Sequence, residues 1–182
     1  AQVHPAEVLR GDTVVKVAVK VIRPGVRRAF FRDLESYFLA ARLQERFIPS
    51  SRRLRPVQVT ETLAQTTRME MDLRLEAAAL SEIGENTRED PGFRVPTVDW
   101  QRTARNVLTT EWIDGTPIAD KAALEAAGFD VKAIGETVIR SFLRHAMRDG
   151  FFHADMHQGN LFIDAEGLVV AVDFGIMGRL NH

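Results

Sequence analysis

The period of the apolar positions changes several times along the chain, and each change marks an expected element. Residues 2–9 and 13–22 are Val-rich runs on either side of Gly11-Asp12, and the second, TVVKVAVKVI, has the β-branched density of a strand, so a hairpin is predicted. After Arg23-Pro24-Gly25, apolar side chains at Phe30, Leu34, Tyr37, Phe38 and Ala41 recur at helical spacing and predict an amphipathic helix over 26–48. PSSRRLRP at 49–56 is a turn-rich connector, after which 57–88 reads as one long helix that stops before Pro91-Gly92. Val95–Trp100 and Asn106–Trp112 have strand character and would complete a small antiparallel sheet. A short helix near 118–127 and a longer one near 131–149 are closed by Gly128 and Gly150. Two short strands follow, near 161–163 and 168–172, turned by Asp164–Gly167. The pattern predicts an α+β chain with no internal repeat.

With 182 residues and 45% hydrophobic content the chain is long enough to bury a real core. No apolar run approaches the roughly 20 residues that cross a bilayer, and the opening AQVHPAEVLR lacks the features of a signal peptide. Absence of cysteine excludes disulfides and thiolate chemistry within these residues, so the chain reads as soluble and intracellular. The net charge of −1 hides an asymmetry, since residues 1–60 carry 12 Lys or Arg against 5 Asp or Glu, while 61–182 carry 12 against 20. The segment 26–48 concentrates five aromatic residues and five arginines, which suits either the cover of a domain core or contact with an anionic membrane. No nucleic-acid partner is expected. Only four of the 24 basic residues are lysines, which gives weight to Lys20 at the end of Val17-Ala18-Val19-Lys20.

The chemistry-bearing stretch is FFHADMHQGN at 151–160, followed by a strand and then Asp173-Phe174-Gly175. His153-Ala154-Asp155 reads as H-x-D, Asn160 lies five residues past the Asp, and the D-F-G triplet starts thirteen residues later. That order is the order of a phosphoryl-transfer site, in which the first Asp orients the nucleophile or accepts its proton while the Asn and the later Asp hold Mg2+ against nucleotide phosphates. V-A-V-K matches the strand whose lysine reaches the α and β phosphates of ATP. A helix acid that pairs with this lysine would hold it there, and Glu76 is the candidate. Glu111-Trp112-Ile113-Asp114-Gly115 leaves the sheet where a bilobal kinase has its hinge, so the backbone of Glu111 and Ile113 is expected to read an adenine edge. The rival reading of His153, Asp155 and His157 as a zinc cluster lacks a fourth ligand, because no cysteine exists.

Taken together these residues resemble the UbiB/ADCK group of atypical kinase-like ATPases associated with ubiquinone synthesis. Ala1-Gln2-Val3-His4 is similar to the end of that family's alanine-rich loop, and VAVKVIRPG at 17–25 resembles its V-A-V-K-V-x-R-P-G. Glu70-Met71-Asp72 corresponds to its E-x-D, Glu76-Ala77 to the E-A that supplies the lysine partner, 153–160 to H-A-D-P-H-P-G-N, and Asp173–Gly178 to D-F-G-x-x-G. Met156 and Gln158 stand where the family has prolines, which removes two backbone restraints. The resemblance implies a bilobal protein-kinase-like fold, truncated at both ends, with a first lobe over 1–113 and a partial second lobe over 114–182. It implies ATP and Mg2+ as cofactors, with Asp155, Lys20 and Glu76 catalytic, Asn160 and Asp173 on the metal, and Ala1, Gln2, Val3, Glu70 and Asp72 near the nucleotide. Implied partners are lipids, polyprenyl quinone precursors and other quinone-biosynthesis proteins. The implied location is cytoplasmic, at the inner membrane, through the segment 26–48 and C-terminal helices the chain lacks, and the family's K-x-G-Q extension is missing as well. Two rivals share parts of the pattern: a small-molecule phosphotransferase of the aminoglycoside or choline kinase type, and a pseudokinase scaffold without turnover.

Overall fold

The computed structural model describes residues 1–180. Strands β1 (Gln2–Arg10) and β2 (Thr13–Val21) form the expected hairpin about Gly11, whose φ of 61° suits a residue without a Cβ. Strand β4 (Val107–Glu111) adds antiparallel to β2, so the first sheet has the order β1-β2-β4. Helix α1 (Val26–Phe47) packs antiparallel-style onto α2 (Pro56–Glu70) across a 3-10 turn at Pro49–Leu54, with Leu34, Ala41 and Ala64 buried between them.

The long helix expected over 57–88 is two helices. α2 stops at Glu70 and α3 (Leu73–Asn86) starts afresh, because Asp72 takes an extended backbone and its carboxylate accepts the Arg74 amide as an N-cap. The Leu73 amide donates to the Arg105 carbonyl and Met71 is buried, so the break is fixed by tertiary contacts. α3 lays Leu73 and Ala77 against Leu108 of β4 to form the core beneath the first sheet. A fully buried leucine contributes about 1.5–3 kcal/mol, so this contact ties α3 to the sheet.

The strand expected over 95–100 is also replaced. Pro96 has no amide for a ladder, and only Val98 bridges to Thr110, while Asp99 caps a 3-10 turn at Trp100–Arg102. The true strand is β3 (Phe93–Arg94), which runs parallel to β8 (Val169–Ala171) in a second sheet of order β3-β8-β7-β5. Its other members are β5 (Gly115–Pro117) and β7 (Leu161–Asp164). A Cβ on Gly115 would lie 2.7 Å from the Ile163 carbonyl oxygen, so the β5–β7 approach requires glycine there. Helix α4 (Lys121–Ala126) starts later than expected because β5 takes the preceding residues and Asp120 caps it. Helix α5 (Val131–Arg144) passes into a π-helical turn at His145–Asp149, where a regular helix to 149 was expected. Strand β6 (Phe151–His153) then pairs antiparallel with β9 (Met177–Arg179). The main core gathers Leu80 and Ile83 of α3 with Leu124, Ile134, Phe151, Ile163, Val169 and Phe174, so α3 belongs to the packing of both sheets.

Candidate active site

Lys20 lies on the middle strand of the first sheet, opposite Leu108, with a side chain 18% exposed. Its ammonium lies 2.7 Å from Glu76 Oε1 and 3.2 Å from Asp173 Oδ1. Glu76 sits in the first turn of α3, which the Asp72 cap has re-aimed toward the sheet. Asp173 follows β8 and is held by its own turn, since its Oδ1 accepts the Gly175 amide at 3.1 Å. The next residue, Phe174, is 2% exposed and anchors the turn in the main core. One cation thus joins a strand, a helix and a loop that are 56 and 153 residues apart in sequence.

The charges shift one another. Burial pushes the Glu76 carboxyl above its ordinary value, with the Lys20 ammonium and the Phe174 amide opposing but not cancelling that push. For Asp173 burial acts in the same upward direction, but Lys20 and the Gly175 amide outweigh it and hold the carboxyl below the usual range. Lys20 is lowered by burial and raised by both carboxylates, and the carboxylates win. Two acids on one ammonium leave the cluster one negative charge in excess when all are ionised.

The loop after β6 brings the remaining groups. His153 is 3% exposed, its Nδ1 accepts the Asp155 amide at 3.1 Å, and its ring packs against Phe174 at 5.1 Å between centroids. Burial holds this imidazole below its ordinary value, against the opposing pull of the Asp173 main chain and carboxylate. His157 Nδ1 accepts the Gly159 amide and caps the 3-10 turn at Gln158–Asn160. The Asn160 carbonyl receives the Val172 amide, which sets the Asn160 backbone beside the strand that leads to Asp173. Met156, at a position where proline was expected, packs on the main core instead.

A cleft of about 1240 Å³ is lined by Lys20, Glu76, Asp155, Asn160 and Asp173 together. Ala1, Val3, Glu70 and Asp72 line it too, whereas Gln2, Glu111 and Ile113 do not. Asp72 is engaged with Arg74 at 2.7 Å, and that hydrogen bond is the main reason its carboxyl lies at about 2. The Glu111 amide donates to the Thr97 carbonyl and its carboxylate binds Arg94, so this residue is committed to the chain itself. Among the described residues no three His, Asp or Glu side chains gather into a metal cluster. Sequence reasoning took His153 for a motif letter and missed what it does, which is to tie the Asp155 backbone to Phe174. The two phenylalanines that precede it in Phe151-Phe152-His153 were the available signal of burial. Nothing in the sequence pointed to Arg94, because its partners lie 17 and 70 residues away.

The family model described as the ABC1 atypical kinase-like domain matches residues 1–182. Over 99% of its length the chain is 41% identical to "Probable protein kinase UbiB" of Marinobacter nauticus, and over its full length 40% identical to the protein of the same name in Azotobacter vinelandii. It spans about a third of the length of those relatives, 33% and 34%. Among solved structures it is similar to the Rv3197–erythromycin complex of Mycobacterium tuberculosis, with a TM-score of 0.72 and 29% identity over 97% of this chain and 44% of that one. The chain belongs to the ABC1 atypical kinase-like family, and its mixed α+β architecture is kinase-like.

Proposed function

We propose that this member of the ABC1 family is the nucleotide-binding part of an atypical kinase-like ATPase that supports synthesis of a polyprenylated quinone. The observation that carries the reading is the Lys20 ammonium between Glu76 and Asp173, in a cleft that Asp155 and Asn160 also line. Hard oxygen donors beside an excess of negative charge suit Mg2+, for which the Asp173 carboxylate and the Asn160 amide oxygen are the assigned ligands. The ion supplies neutralisation of phosphate charge. Lys20, kept protonated by both carboxylates, takes the α and β phosphates of ATP, and Glu76 holds it in position. Asp155 orients the attacking oxygen or accepts its proton, on a loop that His153 fixes from behind. Ala1 and Val3 line the same cleft, and side chains bearing methyl groups would there replace the bare backbone of a glycine-rich loop over the phosphates. Neither Glu111, whose amide is on the Thr97 carbonyl, nor Ile113 lines the cleft, so neither is assigned to the adenine.

The acceptor is water or a small lipid-phase molecule rather than protein at large. The exposed apolar residues Tyr37, Leu39, Leu43 and Phe47 of α1, interleaved with arginines, provide the membrane contact of a peripheral protein at the inner leaflet. Among the described residues no helix is long and apolar enough to cross a membrane. Labelled ATP given to the full-length protein, with and without membranes carrying quinone precursors, tests the reading. ATP hydrolysis that responds to membranes is expected. Broad phosphorylation of generic proteins with no lipid response would overturn it. Absence of both turnover and MgATP binding would favour a scaffold.

A further inference from the structure

Arg94 lies on β3, far from Lys20 in the chain, yet its guanidinium joins the two sheets. Nε lies 2.7 Å from Asp164 Oδ2, at the end of β7 in the second sheet, and one terminal nitrogen lies 2.9 Å from Glu111 Oε1, at the end of β4 in the first. Between β4 and β5 run only Trp112, Ile113 and Asp114. The side chain therefore spans the connector where the chain passes from one sheet to the other, binding Glu111 at its start and Asp164, the strand partner of Gly115, at its end. Both acids are built for the purpose. Asp164 is 3% exposed, and its other oxygen is occupied by the Glu166 and Leu168 amides. The second oxygen of Glu111 accepts the Thr97 amide at 3.2 Å.

The consequence reaches the cleft through a short lever. β7 and β8 are an antiparallel pair, and Asp173 stands two residues past the end of β8, so a rotation of the second sheet about the connector moves Asp173 relative to Lys20 on the first. The contact across the cleft is 3.2 Å at the angle the two sheets adopt. We propose that Arg94 is a positioning residue that sets this angle, by binding Glu111 on one side of the connector and Asp164 on the other, and so keeps Lys20 within reach of Asp173. A guanidinium suits the task because its planar fork fixes the directions in which the two carboxylates are held, whereas an ammonium on a flexible stem can bind two acids without fixing the angle between them.

The inference rests on the proposed nucleotide site only for one of its two readouts. Spin labels at Asp12→Cys, on the exposed hairpin tip, and Glu125→Cys, on the exposed face of α4, report the distance between the two halves in the full-length protein. Arg94→Gln is expected to broaden that distribution and to weaken binding of a fluorescent ATP analogue with Mg2+ about tenfold, as the competent angle falls to a tenth of the population. Arg94→Lys is expected to restore the charge but only part of the narrow distribution. Because Arg94→Gln strands the buried Asp164, Glu111→Gln serves as the second variant: it loosens only the half-exposed side of the clamp and is expected to broaden the distribution in a folded protein. Unchanged distributions in folded Arg94→Lys and Glu111→Gln would overturn the proposal. A wild-type protein that binds no MgATP would sink the proposed function, while the distance comparison would still decide the role of Arg94.

Discussion

Two ionic clusters in this chain look alike on paper and differ in what they leave unfinished. Around Asp90, whose side chain is 4% exposed, stand Arg148 at 2.7 Å, Arg144 at 3.4 Å and the His145 imidazole at 3.4 Å. Burial pushes the Asp90 carboxyl up, but Arg148 and Arg144 more than reverse it, and the acid lies below its ordinary value. The Asp90 group is balanced, because Asp149 shares Arg148 at 2.6 Å, whereas around Lys20 one cation serves both Glu76 and Asp173, and burial keeps Glu76 above its ordinary value. The first cluster is saturated and ties the end of α3 to the π-helical turn, since Arg148 also binds the Asn86 carbonyl. The second opens into the cleft with a charge to spare. A surplus of carboxylate facing a cleft marks a place for a cation, whereas two arginines balanced by Asp90 and Asp149 mark a joint.

The largest effect that could break this contrast comes from the open cluster. In the full-length protein, Asp173→Asn is expected to abolish Mg2+-dependent nucleotide binding, a loss of roughly a hundredfold or more, measured by titration with a fluorescent ATP analogue. Lys132→Ala, on the exposed first turn of α5, should change nothing. Equal losses in the two variants would remove the distinction on which the site assignment depends.

At the closed cluster the effect should fall on stability. Asp90→Asn leaves Arg144 without its carboxylate and Arg148 with Asp149 alone, at a cost of about 1–2 kcal/mol given that Arg148 is half exposed. Chemical denaturation should show that loss, while nucleotide affinity of the folded variant stays within about twofold. A variant of wild-type stability but weakened nucleotide binding would mean that the two clusters are one unit.

Acid should separate them more gently. Burial lowers the His145 imidazole below its ordinary 6.5, as it does for His153, so each folded-state imidazole resists a proton that the unfolded chain accepts. Their stabilisation is complete above pH 6.5 and declines as the pH falls through that value toward the depressed folded one. Glu76 acts oppositely, because an acid raised in the folded state gains stability as it is protonated. Wild-type stability is therefore expected to decline between pH 7 and pH 5, and His145→Gln should flatten that slope by removing the joint-side contribution. An unchanged slope would show that the imidazole is not held neutral.

The smallest change tests the break between α2 and α3. Asp72→Ala removes the N-cap at a cost of about 1 kcal/mol, and it should also weaken nucleotide binding a few-fold if the cap aims Glu76 at Lys20. A loss of stability alone would confine Asp72 to capping.

The residue pattern determined a good deal by itself. The hairpin, the amphipathic α1, the strand at β4 and the late β7–β8 pair follow from local periodicity and from Gly and Pro punctuation, which act over a few residues and need no tertiary partner. The order of V-A-V-K, H-x-D, Asn160 and D-F-G was equally legible, because phosphoryl-transfer chemistry fixes residue types at short spacings. The failures have one cause. A helix from 57 to 88 and a strand from 95 to 100 satisfy local preference, but the Leu73 amide found the Arg105 carbonyl, Asp72 found Arg74, and Arg94 was drawn into the second sheet beside Val170. Which acids share Lys20, that His153 braces the Asp155 loop, and that Arg94 spans the connector depend on contacts across as many as 153 residues. No local rule reaches so far: these pairings exist only once burial of Leu80, Ile83 and Phe174 in one core has brought the two sheets to the same helix.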